Sequence, residues 1–184
     1  MNFSEHCDLC ENEIANLDTG LSCKLTNQYP NFKHTCPEIN LGEKFQDKIE
    51  TINLELKRVK RNKKSVYIYF YFLIIIGFII IIGGDYFIKS TFKSVYTLKI
   101  AFGIISVGIT FLVVAYSILN RFRKKLRNAE LEKKELDVFL MRYRIDYKVN
   151  FDFKKKIHGI QEVILELEFN NWIKKNTKNT YKIR

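Results

Sequence analysis

The sequence lacks the short motifs that carry much of enzyme chemistry. It contains no glycine-rich phosphate loop, no Gly-x-Ser-x-Gly nucleophile turn, no His-Glu-x-x-His metal pair and no paired acids in a pocket-like pattern. Each of these motifs works because its spacing brings a nucleophile, a base or a backbone cradle to one point. Without them, we expect that the protein is not an enzyme.

Charge is missing from two long runs in the middle of the chain. Residues 66–84, VYIYFYFLIIIGFIIIIGG, are nineteen uncharged residues, and residues 100–119, IAFGIISVGITFLVVAYSIL, are twenty more. At about 1.5 Å per residue, either run as a helix covers the roughly 30 Å hydrocarbon core of a bilayer. A soluble helix that is apolar on all sides needs many partner elements, which this otherwise polar chain does not offer. The sequence therefore predicts two transmembrane helices, over residues 65–84 and 100–120.

Basic clusters lie at one end of each apolar run. KRVKRNKK, residues 57–64, has six basic residues and RFRKKLR, residues 121–127, has five, with no acid in either. The connecting segment, residues 85–99, has three lysines and one aspartate. Because segments rich in lysine and arginine stay in the cytoplasm, we expect a multi-pass inner-membrane protein with both termini cytoplasmic. The net charge of +11 then reflects topology rather than a nucleic-acid partner.

All four cysteines lie close to the N-terminus, in the pattern Cys7-x2-Cys10-x12-Cys23-x12-Cys36. Stable disulfides are rare in the reducing cytoplasm, so metal binding is the leading interpretation. Two thiolates separated by two residues can bind one ion, and two ligands brought back by loops can complete a tetrahedron. The sequence predicts a structural zinc site formed by Cys7, Cys10, Cys23 and Cys36, with His34 as a substitute for one of them.

Other uses of these thiols stay open. The spacing loosely resembles the ligand set of high-potential iron–sulfur proteins, but residues 1–42 have too few aromatics for the walls of such a domain, so an Fe–S cluster is disfavoured. Reduced or redox-sensing thiols are a further alternative. Six acids against two lysines make residues 1–42 acidic, which would repel phosphate. A protein-docking module fits this charge better than a nucleic-acid-binding one.

Heptad spacing predicts helices that extend both spans into the cytoplasm. Apolar residues recur every three or four positions before the first span and after the second, with Lys133 as one polar interruption: Phe45, Ile49, Ile52, Leu56 and Val59, then Phe122, Leu126, Ala129, Leu136, Leu140 and Tyr143. Such stripes pack helices against each other. We expect an antiparallel pair within one chain, and an intermolecular coiled coil is the alternative.

Beyond residue 146 the pattern alternates. Apolar residues occupy every second position over 147–153 and again over 163–169, on both sides of KKKIHG. This predicts a β-hairpin with one apolar face, although a helix through Ile157, Ile160, Ile164 and Leu167 stays open. An isolated hairpin is marginal in water, so its apolar face should pack on the helical pair or on another subunit.

The predicted fold is a mainly α membrane protein: a two-span transmembrane helical hairpin extended into a cytoplasmic antiparallel helix pair, with a small module at one end and a β-hairpin at the other. The predicted segments are a cysteine-rich zinc module (1–42), a heptad helix (43–64), a span (65–84), an outer loop (85–99), a span (100–120), a cytoplasmic helix (121–146), a β-hairpin (147–170) and a mobile basic tail (171–184).

The layout of residues 43–146 resembles the SLATT group of two-span bacterial proteins. That resemblance implies a membrane-disrupting, pore-forming effector of a bacterial defence system, which must oligomerise because one two-span subunit cannot enclose a pore. The residues themselves favour a constitutive membrane anchor or scaffold whose zinc module docks a cytosolic protein partner. The expected partners are thus the lipid bilayer, that protein and, for an effector, further copies of the chain.

Overall fold

The structure is a computed structural model, and it describes residues 7, 9–16, 20–26, 32, 35–90, 95–155, 158, 160–170 and 177–183. The chain divides into two compact units: Met1–Leu56 together with Ala129–Arg184, and Lys57–Asn128. We call them the sheet unit and the apolar unit. The described elements in chain order are β1 (Glu13–Asn16), β2 (Gly20–Cys23), α1 (Glu43–Ser90), α2 (Val95–Arg142), β3 (Tyr147–Phe153), β4 (Gln161–Phe169) and β5 (Thr177–Ile183).

Each helix has 48 residues, and the chain's two prolines, Pro30 and Pro37, both precede them. The prediction that the first apolar run continues a preceding helix is confirmed. The predicted loop over 85–99 is wrong at both ends, because α1 runs to Ser90 and α2 begins at Val95. An ion pair between Lys89 Nζ and Asp85 Oδ2 at 2.7 Å, one turn apart, joins successive turns at the end of α1.

The second helix ends four residues earlier than the predicted residue 146. Arg144 has a φ of 54°, and this left-handed conformation stops the helix. The amide of Ile145 donates to the carbonyl of Leu140 at 3.0 Å, and that of Arg144 donates to Met141 at 3.2 Å. These two bonds form a Schellman cap, in which the buried Ile145 and Leu140 supply the usual apolar contact.

The stripes of the two helices meet in the core of the sheet unit, which confirms the predicted helix pair. Phe45 and Ile49 of α1 and Phe139 of α2 have no exposed surface. The rings of Phe45 and Phe139 lie 5.7 Å apart, centroid to centroid. Burial of large side chains such as these stabilises a fold by about 2 kcal/mol each.

Within the apolar unit, two glycines let the helices approach closely. A Cβ added to Gly108 would lie 3.0 Å from the carbonyl oxygen of Gly77, and one added to Gly77 would lie 3.1 Å from that of Gly108. Further along, the rings of Tyr67 and Phe122 meet edge to face at 6.4 Å. Small residues at such a seam allow backbone contact between helices.

The C-terminal strands form an antiparallel sheet in the order β3-β4-β5. The predicted hairpin is confirmed as β3 and β4, with Tyr147 opposite Phe169, and the alternative helix is wrong. Its apolar face packs on the helix pair, since Leu165 and Leu167 belong to the same core cluster as Phe45 and Phe139.

The predicted mobile tail is wrong for Thr177–Ile183, which form the edge strand β5. Few apolar residues mark this strand, and its pairing with β4 rests on backbone bonds and charge. Lys178 lies opposite Glu166 and Lys182 opposite Glu162, and Lys178 forms an ion pair with Glu166. Opposite charges across a strand pair stabilise the register.

Candidate functional site

The N-terminal cysteines are positioned by turns and by one small hairpin. The amide of Cys10 donates to the carbonyl of Cys7 at 2.9 Å, closing a turn that buries both residues. Cys10 also forms an isolated β-bridge with Leu41, and Leu41 belongs to the core of the sheet unit. The Cys-x2-Cys turn is therefore fixed to the start of α1.

Hydrogen bonds place the remaining cysteines. Cys23 ends β2 and pairs with Glu13, while the backbone amide of Cys36 donates to the hydroxyl of Tyr143 at 3.0 Å. The Sγ of Cys10 accepts a hydrogen bond from the amide of Asn40 at 3.3 Å. All four cysteines are free thiols, Cys7 and Cys10 buried and Cys23 and Cys36 half-buried.

The thiols are close enough to influence one another's ionisation. Burial, and then the charges of Cys10, Cys36 and Cys23, raise the pKa of Cys7 to about 11. Burial also raises the pKa of Cys36, partly opposed by a hydrogen bond from the backbone of Glu38. Ionisation of Cys7 and of Cys36 is therefore disfavoured, and a bound dication would favour it instead.

The cysteine thiols are the candidate ligands for a metal ion. Four free thiols match the donor preference of zinc. Within the described part of the chain, however, no three His, Cys, Asp or Glu side chains are gathered as a metal centre. His34, the predicted substitute ligand, lies outside the described residues. The structure brings the four cysteines into one region without forming a ligand tetrahedron.

Acidic residues join the cysteine module to α1. A carboxylate oxygen of Glu11 accepts a hydrogen bond from the amide of Lys44 at 3.2 Å, in the first turn of the helix, where the helix dipole favours an anion. The Glu11 side chain also fills the space that a Cβ on Gly42 would need. Glu13 forms an ion pair with the Lys44 ammonium.

A buried carboxylate in the sheet unit gave no recognisable sequence signal. Glu50 has no exposed surface, and its Oε2 accepts hydrogen bonds from Tyr181 Oη at 2.5 Å and Asn179 Nδ2 at 2.8 Å. Its other oxygen accepts one from Gln46 Nε2 at 3.4 Å. Burial and the neighbouring Glu50 raise the pKa of Tyr181. Since both strong donors belong to β5, Glu50 fixes that strand to α1.

A second set of polar contacts in the sheet unit surrounds Lys133, the lysine that interrupts the heptad stripe. Lys133 bonds the hydroxyl of Tyr147 and pairs with Asp137 at 2.5 Å. Asn53 Nδ2 donates to the same hydroxyl at 3.2 Å. Burial lowers the pKa of Lys133, but the bonds to Asp137 and Tyr147 outweigh this and the pKa is raised. Lys133 therefore joins α2 to β3.

The second candidate surface is the apolar exterior of the helices. Among the described residues, α1 and α2 are long and apolar enough to cross a membrane. Only 11% of an apolar 18-residue stretch of α1, and 17% of one in α2, is buried. A core helix of a soluble protein would be mostly covered by other elements. Here large side chains such as Phe72, Ile79 and Ile82 are more than half exposed.

No protein-family model matches the sequence, and no curated protein or solved structure shows significant similarity to it.

Proposed function

We propose that this protein is a two-span integral protein of the inner membrane that anchors a cytoplasmic docking module. The observation that carries the proposal is the exposed apolar surface of two helices that are each long enough to cross a bilayer. Left in water, such surface would drive aggregation, because exposed apolar area is unfavourable by roughly 25 cal/mol per Å². Lipid removes that surface from water.

The distribution of charge supports an orientation with both termini in the cytoplasm. Both basic clusters adjoin the same side of the apolar windows, since the edge-to-face contact of Tyr67 and Phe122 brings the cluster ends of the two helices together. Retention of lysine and arginine in the cytoplasm then keeps the sheet-unit ends of the helices inside.

The cysteine module completes the proposal as a structural zinc site. Cys7, Cys10, Cys23 and Cys36 would hold the ion, with His34 as the alternative ligand, and zinc would supply cross-links to a segment that has little apolar core of its own. The coupling among the thiols and the amide-to-sulfur bond of Cys10 support this assignment.

A cytosolic protein is the proposed partner of the module. Ile14 and Leu25 are exposed at 39% and 57% on or beside the β1–β2 hairpin. Exposed apolar residues in an acidic segment suit a protein surface that carries complementary positive charge. They do not suit nucleic acid, whose phosphates the acids would repel.

The hydroxyl groups of the second span favour anchoring over the pore-forming effector that a SLATT-like layout would imply. Ser106 Oγ donates to the carbonyl of Gly103 at 2.7 Å, and Thr110 Oγ1 donates to that of Ser106 at 2.9 Å. Since both hydroxyls are satisfied within their own helix, they need no water-filled conduit.

Cysteines added one at a time to the native sequence test this proposal, with labelling of the unaltered chain as the background from its own four free thiols. Ser90→Cys, at the exposed end of α1, should react with a membrane-impermeant maleimide in intact cells. Met141→Cys, 76% exposed in the sheet unit, should react only after permeabilisation and serves as the matched control. The reverse pattern would overturn the orientation, and release of the protein by alkaline carbonate would overturn membrane integration. Sustained depolarisation of cells that express the protein would contradict the anchor and favour the pore-forming effector.

A further inference from the structure

The two basic clusters place positive charge on both helices of the apolar unit. Six of these residues lie on α1 and five on α2, and every one has an exposed side chain: Lys57, Arg58, Lys60, Arg61, Lys63, Lys64, Arg121, Arg123, Lys124, Lys125 and Arg127. We propose that these cations, which we call the basic collar, bind anionic phospholipid headgroups. The inference rests on the proposed function, since it requires that the helices cross a bilayer.

The collar lies at the height of the headgroups. Lys64 precedes the first uncharged run by two positions, and Arg121 follows the second by two, which is about 3 Å along a helix. The segment from Lys57 to Lys64 is about 10 Å long as a helix. This length is comparable to the thickness of the polar headgroup layer between hydrocarbon and water. Tyr69 and Tyr71 of α1, both more than half exposed, mark the interface next to it, where aromatic side chains are enriched.

The helical positions of the cations surround the pair instead of facing one side. At about 100° per residue, Lys57, Arg58 and Lys63 point in three different directions around α1. The positions between them that turn inward are apolar, with Val59 half-buried and Phe122 buried. Lipids on several sides of the pair can therefore meet a cation.

The segments that carry the collar, and both apolar runs, contain no aspartate or glutamate. Apart from Asp85 at the far end of α1, no aspartate or glutamate lies between Glu55 and Glu130. Lys64 and Arg121 each lie nine positions from the nearer of these acids, about 14 Å along a helix. An anionic headgroup beside them therefore meets positive charge, with the acids beyond a Debye length of about 10 Å at 0.1 M salt. A neutral zwitterionic headgroup gains much less.

The test compares two lipids around the intact protein. The full-length chain is reconstituted in phosphatidylcholine vesicles containing trace spin-labelled phosphatidylglycerol or trace spin-labelled phosphatidylcholine, and the motionally restricted fraction is measured for each. Each contact with a cation should favour the anionic lipid about fivefold. The preference should fall sharply at 1 M salt, where the Debye length shrinks to about 3 Å.

Two variants with the same loss of charge separate the collar from net charge. The collar variant is Lys63→Gln, Lys64→Gln, Lys124→Gln and Lys125→Gln. The control variant removes four exposed lysines of the sheet unit: Lys48→Gln, Lys134→Gln, Lys148→Gln and Lys155→Gln. The preference for phosphatidylglycerol should fall in the collar variant, which keeps seven of its eleven cations, and should stay at the native value in the control.

Each contrary result has a separate meaning. Equal restriction of the two lipids by the inserted wild-type protein would overturn the collar and leave the anchor intact. Absence of any restricted lipid, with the protein outside the vesicles, would overturn the proposed function instead. If the inserted protein binds a short RNA and shows no preference for phosphatidylglycerol, the cations bind a soluble polyanion. That result would overturn the lipid proposal.

Discussion

Removal of the Tyr181 hydroxyl is expected to loosen β5 from the sheet unit. The hydroxyl donates at 2.5 Å to a carboxylate oxygen of Glu50, whose side chain has no exposed surface. A hydrogen bond to a charged group contributes about 1.5 to 3 kcal/mol, because the buried acceptor cannot turn to water. Asn179 still donates to the same oxygen in the variant Tyr181→Phe, so we expect a loss of about 2 kcal/mol.

Hydrogen exchange of the Thr177–Ile183 amides, followed by mass spectrometry on the detergent-solubilised protein, measures this loss locally. A change of about 2 kcal/mol in the opening free energy makes these amides exchange about 30-fold faster. Thr180→Val is the matched control, because it removes a hydroxyl from the same strand at an exposed position. Its effect should stay within about 0.5 kcal/mol, or roughly twofold.

A double-mutant cycle isolates the contribution of the charge. In the Glu50→Gln background the acceptor is neutral. Loss of the Tyr181 hydroxyl should then lower the opening free energy of β5 by only about 1 kcal/mol. An acceleration below about threefold in the native background, or the same factor in both backgrounds, would refute the view that Glu50 holds β5 through its charge.

Two further predictions concern the cysteine module and the apolar seam. Purified protein should carry about one zinc per chain, lost in Cys10→Ser and kept in the nearby control Thr35→Ser, as measured by elemental analysis. Folding raises the pKa of Cys7 from 9.0 to about 11. The metal-free protein should therefore keep its stability below pH 9 and lose stability as the pH rises from 9 to 11. Complete folding and unchanged stability without metal would contradict the zinc site. Gly108→Ala should destabilise the protein by about 1 to 3 kcal/mol, because the new Cβ would lie 3.0 Å from the Gly77 carbonyl oxygen. The loss should be measured as a lower thermal midpoint in detergent. Gly103→Ala, with nothing within 4 Å, should be neutral, and equal midpoints for the two variants would contradict the close approach.

Periodicity predicted the parts of the fold in which one face of an element is repeatedly apolar. The stripe containing Phe45 and Ile49, and the alternation through Leu165 and Leu167, led to the helix pair and the hairpin because side-chain burial is what those patterns encode. The strand β5 escaped prediction for the same reason. Its stability comes from backbone pairing, from Lys178 opposite Glu166 and from the bonds of Asn179 and Tyr181 to Glu50. None of these produces an apolar period.

Helix ends and polar contacts depended on geometry that no local pattern carries. Arg144 stops α2 through a left-handed φ of 54°, a conformation usually associated with glycine. Glu50 resembles any surface glutamate in the sequence, yet residues 129 and 131 positions later, Asn179 and Tyr181, bury and satisfy it. Distant partners of this kind become apparent only when the chain is folded.

The sequence by itself determined the two apolar helices and their flanking charge, because hydrophobic length and the position of lysine and arginine are linear properties of a chain. It also placed four cysteines in one short segment. Only the tertiary structure decided that these thiols share one region, with Cys36 tied to Tyr143, and that the last strand is fastened to α1 through Glu50. Those contacts join residues more than a hundred positions apart, and their energy exists only once the core has brought the partners together.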